Sequence, residues 1–135
     1  MASNAFTYPV RVPYRGTDAS GILHFSEMPH YFELCEHAFV RELGFAHDEF
    51  RPLDFPRASV TCDYFAPVFY NDVLDVELQV ENLGNSSLTY QFVVRRDDTL
   101  VSEGRMTVVC VDEGGKSTPL PDRLRKAMEP YFAKN

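Results

Sequence analysis

The stretch SEMPHYFELCEHAFVRELG, residues 26–44, reads as one long amphipathic helix. Met28, Tyr31, Phe32, Cys35, Phe39 and Leu43 recur at spacings of three and four, which puts them on one apolar stripe. Ser26 suits the N-cap, and Glu27 suits the positive end of the helix dipole. Pro29 is compatible with a helix only in its first turn. Gly44 is a natural C′ residue, where the chain can turn left-handed and the helix stops. His30 and His37 fall off the stripe and read as solvated or interface residues. A helix with a single apolar stripe must bury it against another layer.

Downstream, the chain supplies that layer. FAHDEFRPLDFP, residues 45–56, reads as a loop, because Pro52 and Pro56 break any helix. Beyond it the apolar period changes to two. Residues 57–67 form one strand. In residues 72–83, Leu74, Val76, Leu78 and Val80 alternate with Asp75, Glu77, Gln79 and Glu81. Gly84-Asn85 signals a hairpin. Residues 87–95 alternate through Leu88, Tyr90, Phe92 and Val94, and Arg96-Asp97-Asp98 turns the chain. Residues 100–111 are apolar on both faces near their end, which marks a central strand. Pro121 then opens a short C-terminal helix over residues 122–132.

Upstream of the helix, Phe6, Tyr8, Val10, Val12 and Tyr14 alternate with Thr7, Pro9, Arg11 and Pro13. Two prolines on one side cannot donate to a ladder, so this strand belongs at an edge. The order is therefore strand, long helix, then four strands joined by tight turns. Consecutive hairpins give an antiparallel sheet. The fold class is α+β: a five-stranded curved antiparallel sheet wrapped around one long helix, with a short C-terminal helix, the arrangement called a hotdog fold. Residues 1–135 read as one domain of this kind. A five-stranded sheet leaves its edges open, which predicts a homodimer or a homotetramer with the sheet continuing across the interface.

Composition narrows the function. At 44% hydrophobic and 24% charged the chain is globular, not a disordered tail or a disulfide scaffold. Twenty acids against 13 bases give −7, with no basic run, so nucleic acid is excluded as a partner. No segment approaches the roughly 20 apolar residues of a membrane span. MASNAFTYPVRV lacks the basic and apolar regions of a secretory signal. Cys35, Cys62 and Cys110 are an odd set without metal spacing. They read as reduced core thiols of a cytoplasmic protein, with no metal site.

The chemistry concentrates in RGTDASGILHF, residues 15–25, where Asp18, Ser20 and Gly21 are turn formers. Asp18 reads either as an Asx-turn residue or as a reactive carboxylate placed just ahead of the helix. Gly21 reads as a plain turn glycine or as a point of close approach to a ligand. The unpaired N–H groups at the start of the helix suit a developing oxyanion.

Arg11, Tyr14, Thr17, Asp18, Gly21, Ile22, Leu23 and Glu33 fall in a pattern that resembles the opening of the 4-hydroxybenzoyl-CoA thioesterase-like family. That family includes the Tol–Pal-associated acyl-CoA thioesterases. Asp63-Tyr64-Phe65-Ala66-Pro67, Asp72, VCVD at 109–112 and Pro119-Leu120-Pro121 extend the resemblance over nearly the whole chain. Three features depart from the pattern. Gly16 stands where an acid is common, and His24-Phe25 stands where many members have Tyr-His. Leu34, Cys35 and Glu36 follow Glu33 without the usual arginine.

The resemblance implies an acyl-CoA thioesterase in which Asp18 is nucleophile or general base. It nominates the Phe25 N–H as oxyanion donor. His24 would contact the acyl group or set the loop, with a catalytic assist as the alternative. Gly21, Ile22, Leu23 and Tyr31 would meet the substrate, Tyr31 being a core-stripe residue first. Glu33 reads as an interface residue and is the reserve carboxylate if Asp18 fails. Lys116 is the phosphate contact singled out, among Arg57, Arg95, Arg96, Arg105, Arg123 and Lys126. The expected partner is an acyl-CoA or acyl-carrier thioester. No cofactor is implied, since coenzyme A enters as part of the substrate. Two rivals stand beside this reading. His24-Phe25 followed by Pro29 also resembles the motif of hotdog hydroxyacyl-thioester dehydratases, and a non-catalytic acyl-CoA-binding module would keep the fold without the chemistry.

Overall fold

The computed structural model describes residues 4–133; the first three residues of the N-terminal stretch and the last two of the chain lie outside the described residues. Strand β1 (Phe6–Arg11) leads to helix α1 (Met28–Glu42). Strands β2 (Arg57–Tyr64), β3 (Val73–Leu83), β4 (Ser87–Arg96) and β5 (Thr99–Val109) follow, then helix α2 (Asp122–Met128). All neighbours pair antiparallel, in the order β1-β3-β4-β5-β2. This is the hotdog architecture the alternating strands and the single apolar stripe require.

The inward face carries Leu74, Val76, Leu78 and Val80 of β3 and Leu88, Tyr90, Phe92 and Val94 of β4, all buried. They meet Phe32, Cys35 and Phe39 of α1 in one core. The tightest contact is aromatic. The rings of Phe32 and Phe92 stack with centroids 4.6 Å apart and planes within 1°. The same Phe32 ring lies over Gly104 of β5. A Cβ there would stand 2.4 Å from Phe32 Cε2 and 2.3 Å from the Thr61 carbonyl oxygen. The glycine is needed for space, since its backbone is ordinary strand.

Several boundaries differ from expectation, each for a local reason. Strand β1 ends at Arg11, and Tyr14 is 77% exposed instead of continuing the buried face. The ladder lasts one residue further, with the Val12 N–H donating to the Asp72 carbonyl at 2.8 Å and the Asn71 N–H to the Val12 carbonyl at 2.9 Å, and then meets Pro13, which has no N–H to give. The edge position of β1 is the one its prolines demand. Strand β2 stops at Tyr64, not Pro67, where the N–H groups of Phe65 and Ala66 both converge on the Val101 carbonyl. Strand β5 lies between β4 and β2, inside the sheet.

Ser26 does not cap the long helix. The chain enters through a single 3₁₀ turn, Phe25–Glu27, and His24 takes the cap position, its Nδ1 accepting from the Ser26 N–H at 3.3 Å. Helix α1 itself begins at Met28, with Pro29 in the first turn, and ends before Gly44, whose φ is +93°. Helix α2 ends at Met128 and tightens into a 3₁₀ turn, Glu129–Tyr131, because Pro130 cannot continue the helical bonding. Cys35 and Cys110 are buried core thiols, but Cys62 on β2 is only half-buried. Among the described residues no helix is long and apolar enough to cross a membrane.

The stripe of α1 holds one acid. Glu36 lies a turn beyond Phe32 and is only 5% exposed. Arg57 at the start of β2 pairs with it at 2.5 Å and lies 3.5 Å from Glu33. Burial pushes the Glu36 carboxyl up to about 7; Arg57 offsets this in part, and the Glu33 charge adds to it.

Two stability measurements follow from this packing. Gly104→Ala forces a methyl group against the Thr61 carbonyl and the Phe32 ring, and should cost about 1–3 kcal/mol in urea unfolding with no change in m; an unchanged midpoint would mean the ring is free to move aside. For Glu36, the folded pKa lies above the ordinary 4.5, so between about 4.5 and about 7 the native state holds more protons than the unfolded chain. The stability that protonated Glu36 contributes is complete below about pH 4.5 and is lost as pH rises through about 7. Glu36→Gln has no proton to lose, so from about pH 5 to about pH 8 it should gain on wild type, by on the order of 3 kcal/mol at most. Parallel stability curves for the two proteins would contradict this.

Candidate active site

The segment between β1 and α1 folds on itself before the helix begins. Thr17 pairs with Leu23, the Asp18 N–H donates to the Ile22 carbonyl at 2.8 Å, and the Gly21 N–H returns to the Asp18 carbonyl at 2.9 Å. Gly21 has φ +80°, the left-handed geometry that closes the bend. The His24 N–H then donates to the Gly16 carbonyl at 2.8 Å and aligns the chain for the 3₁₀ turn.

Asp18 sits at the corner of this bend with its side chain in solvent. One carboxylate oxygen, Oδ1, accepts from the Ser20 N–H at 2.8 Å, the Ser20 hydroxyl at 2.6 Å and the Ile22 N–H at 3.2 Å. The Ser20 hydroxyl is the main cause, and its N–H the next, of a carboxyl held below its usual range. Oδ2 accepts none of these bonds. The Asx turn is therefore real, and the same turn leaves an ionised carboxylate with one oxygen available for chemistry.

Ile22, Leu23, His24 and Phe25 run from the bend along one wall of a 340 Å³ cleft. Met28 and the segment from Tyr64 to Val68 complete it. The Leu23 N–H donates to the Val68 carbonyl at 2.7 Å, and the Tyr64 hydroxyl donates to the Phe25 carbonyl. Asp72 fixes the far wall: its Oδ2 accepts from the Phe69 N–H at 2.9 Å and from Arg96 at 3.0 Å, and Arg96 also donates to the Pro67 carbonyl. Phe25 opens the 3₁₀ turn, so its N–H has no acceptor within that turn, and none of the bonds that fold the loop uses it. The Phe25 ring, like those of Tyr64, Phe65, Phe69 and Tyr70, is exposed around this cleft.

Of the other nominated residues, His24 stays on the cleft wall and the rest lie elsewhere. His24 is exposed, its Nδ1 2.8 Å from the Ser26 hydroxyl and its ring tilted on that of Phe25 at 4.5 Å. The ring serves the cap first. Tyr31 is buried in the core and lines neither this cleft nor the larger cavity behind α1; its hydroxyl has no hydrogen-bond partner among the described residues. Glu33 is partly exposed, beside Arg57. Lys116 follows β5, beyond Val109, while the cleft borders the β5 start at Val101. Roughly 25 Å of strand separates them within one protomer. Arg57, Arg95, Arg96, Arg105 and Arg123 each form an ion pair with an acid of this chain. The second wall, Tyr64 to Val68, was not nominated from sequence. Its signal was the Asp63-Tyr64-Phe65-Ala66-Pro67 run, which carried resemblance but no readable chemistry.

Comparison with known proteins agrees with the fold. The model of the thioesterase superfamily matches residues 20–103. An acyl-CoA thioesterase, YbgC of Haemophilus influenzae, is 29% identical over 131 residues, covering 94% of this chain and 96% of that protein. A crystal structure from Aquifex aeolicus superposes with a TM-score of 0.87 at 31% identity, covering 92% of this chain and 99% of that one. A Synechocystis 1,4-dihydroxy-2-naphthoyl-CoA thioesterase shares the fold, with a TM-score of 0.86 at 19% identity over 93% of this chain and 96% of that one. The family match spans α1, β2, β3 and β4 and enters β5, more than half of the chain, and the chain belongs to the thioesterase superfamily.

Proposed function

We propose that this chain hydrolyses an acyl-CoA thioester to a carboxylate and free coenzyme A, with Asp18 as the catalytic carboxylate. The observation that carries the reading is the joining of an ionised, hydrogen-bonded Asp18 to an apolar cleft by the seven-residue run that ends at Phe25. A thioester carbonyl oxygen would take the Phe25 N–H, which stabilises the charge that develops there. The free Oδ2 attacks the carbonyl carbon, the C–S bond breaks, and coenzyme A leaves as a thiolate that picks up a proton. Water then opens the mixed anhydride and regenerates Asp18. Alternatively Asp18 takes a proton from water, which attacks directly. Neither route needs a metal or redox cofactor. The apolar walls suit an acyl group, and the names of the relatives support coenzyme A as its carrier. The three free cysteines fit a reducing, cytoplasmic setting.

The same reading requires a second copy. The inward row of β2, Val60, Cys62 and Tyr64, is only partly covered, with Val60 and Tyr64 prominently exposed, and the outer edge of β2 pairs with no strand among the described residues. The opposite edge, β1, is blunted by Pro9. An antiparallel pairing of β2 with its own copy would cover that row and extend the sheet. It would also bring the Arg57 end of one protomer, with Lys116 beyond it, beside the cleft of the other. That arrangement gives Lys116 a route to the coenzyme A phosphates that one protomer alone denies it.

Thiol release from short, long and aromatic acyl-CoAs, followed with a thiol-trapping dye, tests the activity. Asp18→Asn should lower kcat by at least about 100-fold with KM little changed. Wild-type turnover in that variant removes Asp18 from the mechanism. Loss of the enoyl absorbance band without thiol release would favour the dehydratase, and tight binding without any turnover would favour the non-catalytic module. Light scattering on a sizing column should give a dimer or tetramer for the wild type and monomer for Val60→Glu. A monomeric wild type that retains activity would refute the shared-edge reading.

A further inference from the structure

The larger cavity of the protein lies away from the bend. It has a volume of 680 Å³, within the range of small-molecule sites, and sits between the second half of α1, the 45–56 loop and the end of the sheet. Its walls are apolar: Val40, Phe45, Phe50, Leu53, Leu88 and Met128 all contribute. Its polar lining is lopsided. Arg41, Arg51, Arg57, His37 and His47 stand against only Glu36 and Asp54. Glu36 is already engaged by Arg57. Arg41 and Arg51 form no ion pair among the described residues, while five other arginines of this acidic chain do. In a protein of net charge −7, a basic rim on an apolar chamber is a local reversal of sign.

We infer that this cavity binds a free long-chain carboxylic acid, its chain against Val40, Phe50 and Leu53 and its carboxylate on Arg41 and Arg51. Charge complementarity selects that occupant. A neutral hydrocarbon would leave the rim unused, and a cation would be repelled by it. Arginine also matches carboxylate geometry in a way that a diffuse positive field does not. The site is separate from the cleft at Phe25, since the two share no lining residue. It requires no turnover, and so it stands apart from the thioesterase reading. If that reading holds, the ligand has the chemistry of the product, and the cavity becomes a place where product is retained or sensed.

Titration with cis-parinaric acid, a fluorescent chain that ends in a carboxylate, tests this on the full chain. Saturable binding is expected, displaced by dodecanoate at least about tenfold better than by dodecanol, a difference of about 1.4 kcal/mol. The double variant Arg41→Gln, Arg51→Gln should weaken the probe by about tenfold, and Leu53→Trp, which fills the chamber, should abolish binding. Both changes in the arginine variant are on the surface, so it carries the test should Leu53→Trp fail to fold. Asp18→Asn should bind the probe as wild type does. Equal displacement by dodecanol, unchanged affinity in the arginine variant, displacement only by dodecanoyl-CoA, or loss of binding in Asp18→Asn would each overturn the proposal. A protein without thioesterase activity that still shows the expected displacement would leave this site intact and remove only the catalytic reading.

Discussion

A phenyl ring resting on a glycine fixes where the helix crosses the sheet. Phe32 fits between Phe92 and the bare backbone of Gly104, and no side chain larger than hydrogen is accommodated beneath it. The contact sits one turn into α1, close to the end that matters. Met28 packs into the same core and also lines the cleft, so the placement of Phe32 sets the depth at which the Phe25–Glu27 turn arrives. An error of an ångström there would move the Phe25 N–H relative to any carbonyl in the cleft. Close packing transmits such shifts without absorbing them. The core of this fold is therefore part of the site's geometry, although none of its aromatic rings does chemistry.

The bend at Asp18 makes the complementary point about polar groups. Three hydrogen bonds to one carboxylate oxygen are what a simple Asx turn would show. They also keep the group ionised without burying it, which a nucleophile or base in open solvent needs. A buried acid behaves differently, and Glu36 demonstrates it in the same chain. There, removal from water outweighs the adjacent Arg57 and raises the carboxyl to about 7. Two carboxylates about one helix are thus driven in opposite directions, one by hydrogen bonds and the other by desolvation.

The architecture was legible because the apolar period changes once, from helical to alternating, at the 45–56 loop. Proline placed β1 at the edge, and the doubly apolar run placed β5 inside. Strand ends were less legible, since hydrogen-bond exhaustion at Pro13 and the shared carbonyl of Val101 leave no mark on hydropathy. The cap was misread because Ser26 outranks histidine in propensity, whereas the His24 ring is held in place by the Gly16 carbonyl through its own backbone. Ile22 to Phe25, nominated through the family resemblance, line one wall of the cleft. The opposite wall, Tyr64 to Val68, arrives from a distant stretch of chain and depends on tertiary closure alone. Glu36 occupies a stripe position, four after Phe32 and three before Phe39, but its charge concealed it until its partner Arg57 was located in space.

Charge finally constrains how an acidic protein can handle an anionic substrate. Five of its ten arginines are spent on its own acids, as with Arg95 on Glu77 and Arg105 on Glu81. Such exposed pairs add little stability, but they remove bases from any competition for phosphate. Among the described residues, Arg41, Arg51 and Lys116 form no ion pair at one end of the molecule, and Arg11 and Arg15 form none beside the Asp18 bend. The Asp18 bend lies at the opposite end from Arg41 and Arg51, near the start of β5. The antiparallel association proposed through β2 would reverse one copy against the other and make the Arg57 end of one the neighbour of the Tyr64 end of the other.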